Sequence, residues 1–411
     1  MASVARREQD PHKGGLSRLA SHGYRWLRAA WTLLQGLPQH ASQNGPDLPG
    51  LSRRVWEQGR LLLVSGITPT NYYRYRLFRP TLSSDNKALF LGFFEGWRWL
   101  LAVNGRKPSL LVTDKLITSR MLQSCGIAQP EHLGTFGLPL GRFDRAAPLR
   151  TREELAQFLA APGRADFFLK PAYGRGGAGH FSVGRCLREG KAWELLPDRS
   201  MVTTDALIDR VVAAGTPYIA QRRLRPHQEL ACFGANVLHT IRFITVLDGD
   251  VTIAQAALKI GTGAGPVDNM AMGNIIAGID METGVLGAAY EHYSAGRLLL
   301  CRPVTTHPLT NSGIEGRQIP LWREALETVH KAAACFYLMS VAAWDVALTD
   351  QGPVVIEGNS DPNWLLTQVA NDEGLLATPL GAFLYRTGHL DKIGVGIGLK
   401  AAYERAVLAR G

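Results

Sequence analysis

The chain has 411 residues, of which 46% are hydrophobic and 19% charged, and its formal net charge is +10. This length is enough for two or three units with cores of their own, and the composition excludes a wholly disordered chain. No apolar run approaches the roughly 20 residues of a membrane-spanning helix, and the polar start lacks the apolar stretch of a signal peptide. We therefore expect a folded, cytoplasmic protein.

The basic excess is concentrated near the start, where residues 1–60 hold nine Lys and Arg against four Asp and Glu. Such an excess indicates nucleic acid, an anionic membrane surface or phosphate-bearing ligands as partners. The sequence has no zinc-finger or RNA-recognition motif, so we favour phosphates and expect no nucleic-acid partner. The five cysteines are scattered and form no C-x-x-C pair, which predicts reduced and mostly buried thiols.

The first hundred residues give weak structural signals. Residues 1–22 are predicted to be disordered, residues 24–34 have the apolar spacing of a short amphipathic helix, and residues 35–50 have the Gly and Pro content of a linker. Residues 51–105 mix strand-like, aromatic and helical segments. We predict a mostly helical N-terminal extension over residues 1–105 and assign it no function.

From residue 105 onward the pattern becomes one of short strands with helices at intervals, which predicts the α+β fold class. The run SLLVTD at 109–114 predicts a strand, and the apolar spacing after it predicts a helix that stops at Gly126. Further strands are predicted at 167–169, 181–183, 218–221, 239–247 and 251–258, a turn at 248–250, a helix at 322–338 and a hairpin at 341–356.

The most informative stretch is FFLKPAYGRGGAGHFSVG, at 167–184. Gly174, Gly176 and Gly179 match G-x-G-x-x-G, but an alternating strand follows them, whereas a dinucleotide-binding fold needs a helix there. Lys170 precedes the glycines, whereas the lysine of a Walker loop follows them, and kinase motifs are missing. We predict a hairpin lid whose backbone N–H groups, including that of Gly177, approach phosphate oxygens. A plain glycine-rich turn is the alternative.

An acidic hairpin, AAWDVALTDQGPVVIEGNSDPN, occupies residues 342–363. If its turn is 350–352, Asp345 lies opposite Glu357, and Asn359 shares a face with Glu357 because strand side chains alternate. Two carboxylates and an amide oxygen then converge, and Mg²⁺ prefers such oxygen ligands. Paired acids among apolar residues would otherwise repel each other. An ordinary hairpin with exposed acids is the alternative, and the lysine beside the lid favours the metal site.

Between these two motifs, Arg242 and Lys259 lie on neighbouring predicted strands, and a glycine-rich run with Asp268 and Asn269 follows. Cationic side chains in such a place stabilise the charge of a transferring phosphate group. An arginine that points to solvent is the alternative for Arg242. His180 and His239 are candidate helpers, with a structural role as the alternative.

These segments, in this order, resemble the ATP-grasp superfamily, and within it the sugar-transfer-associated group related to α-L-glutamate ligases. The resemblance covers roughly residues 105–385, from TDKLITSRMLQSCGIAQP to the acidic hairpin. It implies an ATP-grasp fold in which two α+β subdomains clamp ATP, with ATP and Mg²⁺ as cofactors. It also implies three regions: an extension over 1–105, an ATP-grasp domain over 106–390 with its lid subdomain at about 150–220, and a C-terminal helical tail over 391–411.

The resemblance further implies roles for individual residues. The ATP phosphates would be held by Lys115, Lys170 and the lid residues Gly174, Gly176, Gly177 and Gly179. The adenine would meet the hinge strand with Gln221, Arg222 and Leu224, and Glu229 would contact the ribose or the substrate. Arg242 and Lys259 would act in catalysis, Asp345, Glu357 and Asn359 would bind the metal, and Asp268, Asn269 and His239 would contact substrate. The chain has His239 where the group usually has Asn, and Lys259 where it often has Arg, and these departures concern the identity of the substrate.

The implied activity is an ATP- and Mg²⁺-dependent carboxylate–amine ligase that forms an amide through an acyl phosphate. Its family context suggests cell-surface polysaccharide or peptide-conjugate biosynthesis, with small-molecule acid and amine substrates. Two alternatives stay open: a phosphotransferase on the same fold, and a non-catalytic nucleotide-binding module. The basic N-terminus would then contact a glycosyltransferase or the inner face of the membrane.

Overall fold

A computed structural model describes residues 15–43, 48–94, 96–137, 149–161, 164–173, 179–187, 191–263, 268, 273–295, 298–395 and 397–410. The chain divides into two compact units, one of Met1–Gly96 together with Leu390–Gly411, and the other of Trp97–His389. The three-part division stated above stays a prediction. None of the described helices is both long and apolar enough to cross a membrane.

Thirteen helices and thirteen strands lie in the described part of the chain. The helices are α1 (Gly15–Ser42), α2 (Leu51–Ser65), α3 (Pro69–Arg74), α4 (Ser84–Ala88), α5 (Gly96–Asn104), α6 (Arg106–Thr113), α7 (Lys115–Ser124), α8 (Arg152–Ala160), α9 (Thr204–Ala213), α10 (Trp322–Cys335), α11 (Trp364–Asn371), α12 (Pro379–Arg386) and α13 (Leu399–Ala406). The strands are β1 (His132–Phe136), β2 (Phe167–Pro171), β3 (Phe181–Leu187), β4 (Ala192–Leu196), β5 (Met201–Thr203), β6 (Tyr218–Arg222), β7 (Thr240–Asp248), β8 (Asp250–Ile260), β9 (Ile275–Ile279), β10 (Leu286–Ala295), β11 (Leu298–Val304), β12 (Val341–Thr349) and β13 (Gly352–Asn359).

The helix predicted at 24–34 exists, but α1 is longer in both directions than its sequence pattern indicates. Its buried residues Arg25, Ala29, Gly36 and His40 recur at helical spacing. The buried face packs against α2 and α3. Packing therefore sets the length of α1, because tertiary contacts contribute more to helix stability than local propensity does.

The strand predicted at 109–114 is wrong, because this segment forms α6. A short apolar run does not by itself distinguish a strand from a helix. Val112 is buried while Leu110 is 66% exposed. The Ser109 and Thr113 hydroxyls each donate to the carbonyl four residues earlier, at 2.8 Å. Burial on one side of the segment and hydrogen bonds between residues four positions apart are both features of a helix.

The strands form two antiparallel sheets in the second unit. The six-stranded sheet has the order β1-β6-β2-β3-β4-β5, and the seven-stranded sheet has the order β11-β10-β9-β8-β7-β12-β13. The predicted turn at 248–250 is confirmed, with Gly249 at a φ of +79°. Phe167 and Trp193 lie in the core of the first sheet with residues of α8 and α9. Phe243 and Trp344 lie in the core of the second with residues of α10.

Two of the five cysteines form a disulfide, which corrects the expectation of reduced thiols throughout. Cys125 follows α7, Cys335 ends α10, and their Cα atoms lie 6.6 Å apart. They are separated by 210 residues in sequence, so spacing gave no indication of the pair. Cys186, Cys232 and Cys301 are not part of this disulfide.

Candidate active site

A cleft with an open volume of about 350 Å³ lies where α7 and the two sheets of the second unit meet. The six-stranded sheet contributes β2 and β6, and the seven-stranded sheet contributes β13. The polar lining residues include Lys115, Lys170, Gln221 and Glu357. These four come from separate segments, and each was assigned to ATP or metal binding on the basis of the sequence. The other lining residues are Val112, Thr118, Ser119, Leu122, Gln129, Pro130, Ile219, Val355, Ile356 and Gly358.

Lys170 reaches this cleft from β2, where it lies opposite Ile219 of β6. The side chain is buried, and burial lowers the pKa of its ammonium group to about 8. This pKa already includes the effect of the Glu357 carboxylate, which raises it, and of the Lys115 charge, which lowers it. A buried lysine without a full counter-charge is a strong binding partner for an anion, because the anion restores the charge balance.

Lys115 is the first residue of α7, and Asp114 caps that helix. The Asp114 carboxylate accepts from the backbone N–H groups of Leu116 and Ile117 at 2.9 and 3.1 Å. The cap fixes where the helix begins and therefore where Lys115 leaves the backbone. The Lys115 ammonium and the positive end of the helix dipole both favour an anion in the cleft.

His180, one of the two candidate helper histidines, lies beside Lys170 but is not among the residues that line the cleft. The β2–β3 ladder pairs Leu169 with Phe181, so one step further along the same register His180 faces Lys170. The His180 ring meets the edge of Phe168 at 5.5 Å between centroids. Burial and, to a smaller extent, the charges of Lys170 and Lys115 together lower the pKa of His180 to about 3. His180 is thus a neutral polar group beside the predicted phosphate-binding lysine.

The hinge strand β6 separates two residues that were assigned together. Gln221 is buried and lines the cleft. Arg222 is exposed, and its Nε donates to Glu131 Oε2 at 2.9 Å. Successive side chains in a strand point to opposite faces, so the Arg222 side chain does not belong to the cleft, which corrects its assignment. Leu224 is half-buried in the segment after β6, and Glu229 is exposed beyond it, and neither lines the cleft.

The acidic hairpin brings Asp345 opposite Glu357, but by a different route from the predicted one. Its turn holds two residues rather than three, since Thr349 pairs with Gly352. The register then shifts between Asp345 and Val346, where β13 carries one extra residue. This β-bulge restores the predicted opposition and turns the consecutive residues 355–358 toward the cleft.

A buried ionic cluster lies beside the cleft in the seven-stranded sheet. Arg242 donates through Nε and Nη2 to the two carboxylate oxygens of Asp345, the second bond being 3.0 Å long. Lys259 Nζ donates to Asp345 at 2.9 Å and to Asp268 at 3.1 Å. The Thr240 hydroxyl also donates to Asp268. The two cations predicted to act in catalysis therefore lie together, with Asp268 beside them.

The cluster shifts the ionisation of its members in directions set by burial and charge. Burial alone would raise the pKa of Asp345, but the charges of Arg242 and Lys259 outweigh it and hold this pKa below its usual range. Burial lowers the pKa of Lys259, and the charges of Asp268 and Asp345 more than offset this and raise it. Burial raises the pKa of Asp268, and Lys259 counters this in part. Asp345 is consequently an ionised carboxylate paired with two cations.

The fit of these residues to Mg²⁺ rests mainly on Glu357 and Asn359. Asn359 Nδ2 donates to Glu357 Oε1 at 3.4 Å, so the amide and the carboxylate are in contact, and both side chains carry the hard oxygens that Mg²⁺ prefers. Both oxygens of Asp345 already accept from Arg242 and Lys259. Within the described ranges, His, Cys, Asp and Glu form no group of three arranged to hold a metal. Asp345 could join the set only if its ion pairs opened.

The remaining predicted residues divide into structural and undescribed positions. His239 is fully buried, and its Nδ1 accepts from the Gly261 N–H at 3.1 Å. Burial lowers its pKa to about 4. The hydrogen bond to Gly261 is a structural contact, and the assignment of His239 to substrate stays a prediction. The Gly179 carbonyl accepts from the Tyr218 hydroxyl at 3.0 Å. Gly174, Gly176, Gly177 and Asn269 lie outside the described residues.

A family model described as sugar-transfer associated ATP-grasp matches residues 97–381, well over half of the chain. The chain belongs to this family. The α+β class and the ATP-grasp fold predicted from the sequence are thereby confirmed, as is the resemblance to the sugar-transfer-associated group. No curated protein sequence matches the chain.

The chain is also similar to solved structures of ATP-grasp enzymes at low identity. An N5-carboxyaminoimidazole synthase from Aspergillus clavatus is 14% identical, with a TM-score of 0.36, covering 67% of this chain and 53% of that one. D-alanine–D-alanine ligases from Coxiella burnetii and Bacillus anthracis are 13% and 16% identical, with TM-scores of 0.38 and 0.34. The match to the Coxiella burnetii enzyme covers 77% of this chain and 67% of that one. The match to the Bacillus anthracis enzyme covers 78% of each chain. The chain thus spans about half the length of the Aspergillus clavatus synthase.

Proposed function

We propose that this ATP-grasp protein is an ATP- and Mg²⁺-dependent ligase that joins a carboxylate to an amine. One observation carries the proposal: Lys115, Lys170, Gln221 and Glu357, which are far apart in sequence, line a single cleft. Membership of an ATP-grasp family supports this class of reaction. We propose the two substrates by chemical class alone, as a carboxylic acid and an amine.

In this proposal the two lysines bind the ATP phosphates. Lys170 is buried and its pKa is lowered to about 8, so phosphate oxygens would stabilise its charged form. Gln221 is the buried polar group on β6 beside Ile219. An amide that donates and accepts suits the edge of a purine base, and the apolar lining suits its face.

Glu357 and Asn359 would hold Mg²⁺, which supplies charge neutralisation to the transferring phosphate group. Arg242 and Lys259 would place two cations at the far side of this pair, where negative charge grows as an acyl phosphate forms. The amine would then displace phosphate from the acyl carbon. Because positioning and charge neutralisation drive phosphoryl transfer, no separate nucleophile is required of the protein.

The test is the thermal stability of the full chain with and without Mg·ATP. A ligand at about 100 times its Kd stabilises the folded state by roughly 2.7 kcal/mol. We expect a clear rise in melting temperature for the native protein and for Arg222→Met, whose side chain lies outside the cleft. The rise should disappear in Lys170→Met and shrink in Glu357→Gln. A native protein that does not respond to Mg·ATP would overturn the proposal.

A second measurement separates the ligase from its alternatives. Acid and amine pairs are screened for ADP release, and the products are identified by mass spectrometry. An amide with ADP and phosphate supports the ligase, whereas a phosphoester with ADP indicates a phosphotransferase. Nucleotide binding with no turnover across the screened pairs would favour the non-catalytic module.

A further inference from the structure

The helix α1 carries an apolar face that its own unit leaves uncovered. Its buried residues Arg25, Ala29, Gly36 and His40 follow one face of the helix. The exposed large apolar residues are Tyr24, Trp26, Leu27, Trp31, Leu34 and Leu37. Leu27, Trp31 and Leu34 follow one another at intervals of four and three, so they form one stripe opposite the buried face.

The exposure of this stripe is unusual for side chains of this size. Leu27 is 72% exposed, and Trp31 is 62% exposed. On α2, the neighbouring helix of the same unit, Trp56 is 67% exposed. Single exposed apolar residues are common, but a contiguous aromatic and aliphatic surface marks an interaction site.

The charges around the stripe are almost all positive. The sequence of α1 contains no Asp or Glu. Its Arg28 is exposed, whereas Arg25 is buried on the opposite face. On α2, Arg53 is exposed and Arg60 half-buried, and the single acid is Glu57. Glu57 is buried and accepts from Lys87 Nζ at 2.6 Å, so its charge is already neutralised. The surface of α1 and α2 therefore has basic groups beside apolar ones, with no free carboxylate among the residues of these two helices.

We propose that the outer face of α1 docks on an anionic lipid surface. Trp and Tyr prefer the boundary between lipid headgroups and acyl chains, where an apolar ring body and a polar N–H or O–H are both satisfied. Leucines inserted between them supply apolar burial, and arginines near the surface attract anionic headgroups. The mixture of Trp, Leu and Arg without acids matches lipid better than a protein partner, whose interface would need matching carboxylates at fixed positions. This proposal does not depend on the ligase activity.

The experiment is co-sedimentation of the full chain with vesicles. One set is phosphatidylcholine alone, and the other contains roughly one-third phosphatidylglycerol, whose charge imitates an anionic leaflet. We expect binding to the anionic vesicles that weakens at high salt, and little binding to the neutral ones. Leu27→Glu and Trp31→Glu should each lower the partition into anionic vesicles by at least about tenfold, because each puts a charge where an apolar side chain would enter the lipid.

Trp97→Glu is the matched control, since Trp97 is 56% exposed and lies in the other unit. It should leave vesicle binding unchanged, and all variants should keep the native melting temperature because the replaced side chains are exposed. Failure of the native protein to bind anionic vesicles would overturn the proposal. So would equal binding to neutral vesicles, or an equal loss with Trp97→Glu. A lipid-free dimer that Trp31→Glu converts to a monomer would show that a second copy covers the stripe instead.

Discussion

Replacing Asp345 with asparagine tests how much the charge of this one carboxylate in the buried ionic cluster contributes to the stability of the fold. Asp345 is the only acid that contacts both Arg242 and Lys259 among the described residues. The substitution keeps the shape of the side chain and removes its negative charge. Two cations would then stay in a buried place, with Asp268 still paired to Lys259 and the charges of Glu357 and Asp268 acting on Arg242.

The expected cost follows from the geometry of the cluster. At 2.9 Å and an effective dielectric constant of about 20, one ion pair has a gross attraction of roughly 6 kcal/mol. Desolvation offsets much of this gain, and removal of one partner from a buried pair typically costs about 3–5 kcal/mol. For a unit of this size, 1 kcal/mol corresponds to about 2 °C, so the melting temperature should fall by roughly 6–10 °C.

The assay is thermal unfolding of native protein, Asp345→Asn and a matched control, Asp209→Asn. Asp209 accepts from Arg152 at 2.5 Å, but both side chains are exposed. Exposed pairs contribute about 0–1 kcal/mol, so the control should shift the melting temperature by no more than about 2 °C. Equal shifts in the two variants would refute the reasoning, because burial would then give Asp345 no special weight.

The pH dependence of the stability difference between native protein and Asp345→Asn independently checks the direction of the Asp345 pKa shift. The folded-state pKa of Asp345 lies below that of an unfolded aspartate, which is about 3.9. A group with a depressed pKa stabilises the protein above the unfolded pKa and loses this contribution as the pH falls below it. The difference between native protein and Asp345→Asn should therefore be constant from about pH 5 to pH 8 and shrink below about pH 4.

Three further predictions concern the cleft and its surroundings. Because the pKa of Lys170 is about 8, Mg·ATP affinity measured by titration calorimetry should weaken as the pH rises past this value, and Lys170→Met should show weak binding at every pH. In Gly358→Ala the new Cβ would lie 2.7 Å from Val112 Cγ1 and 2.8 Å from Trp344 Cζ3. Urea unfolding should show a loss of about 1–3 kcal/mol, whereas Gly313→Ala, where no atom lies within 4 Å, should be neutral. Cys125→Ser should lower stability by about 2–4 kcal/mol without reductant, and native protein and variant should converge when a reductant breaks the Cys125–Cys335 bond.

Several features of the site could be predicted because they depend on local pattern. The position of Lys170 before a glycine run and the spacing of Asp345 and Glu357 around a turn both carried chemical information. Lys115, Lys170, Gln221 and Glu357 line one cleft. The assignments of these residues to nucleotide and metal stay predictions until binding is measured.

Other features could not be predicted, for identifiable physical reasons. The side of β6 that faces the cleft depends on pairing with β2, so the sequence did not separate Gln221 from Arg222. The bulge in β13 depends on the two-residue turn and on the neighbouring strand. His239 has the residue type of a helper, but its hydrogen bond to Gly261 is a structural contact that the sequence does not show.

The sequence by itself determined the family, the α+β class and the order of the chemical motifs, because these depend on residue types and short spacings along the chain. Only the tertiary structure decided that Cys125 reaches Cys335, that Arg242 and Lys259 both bind Asp345, and that α1 leaves an apolar stripe exposed. Each of these features depends on contacts between segments that are distant in sequence. Such contacts follow from the packing of whole sheets and helices, which no local pattern encodes.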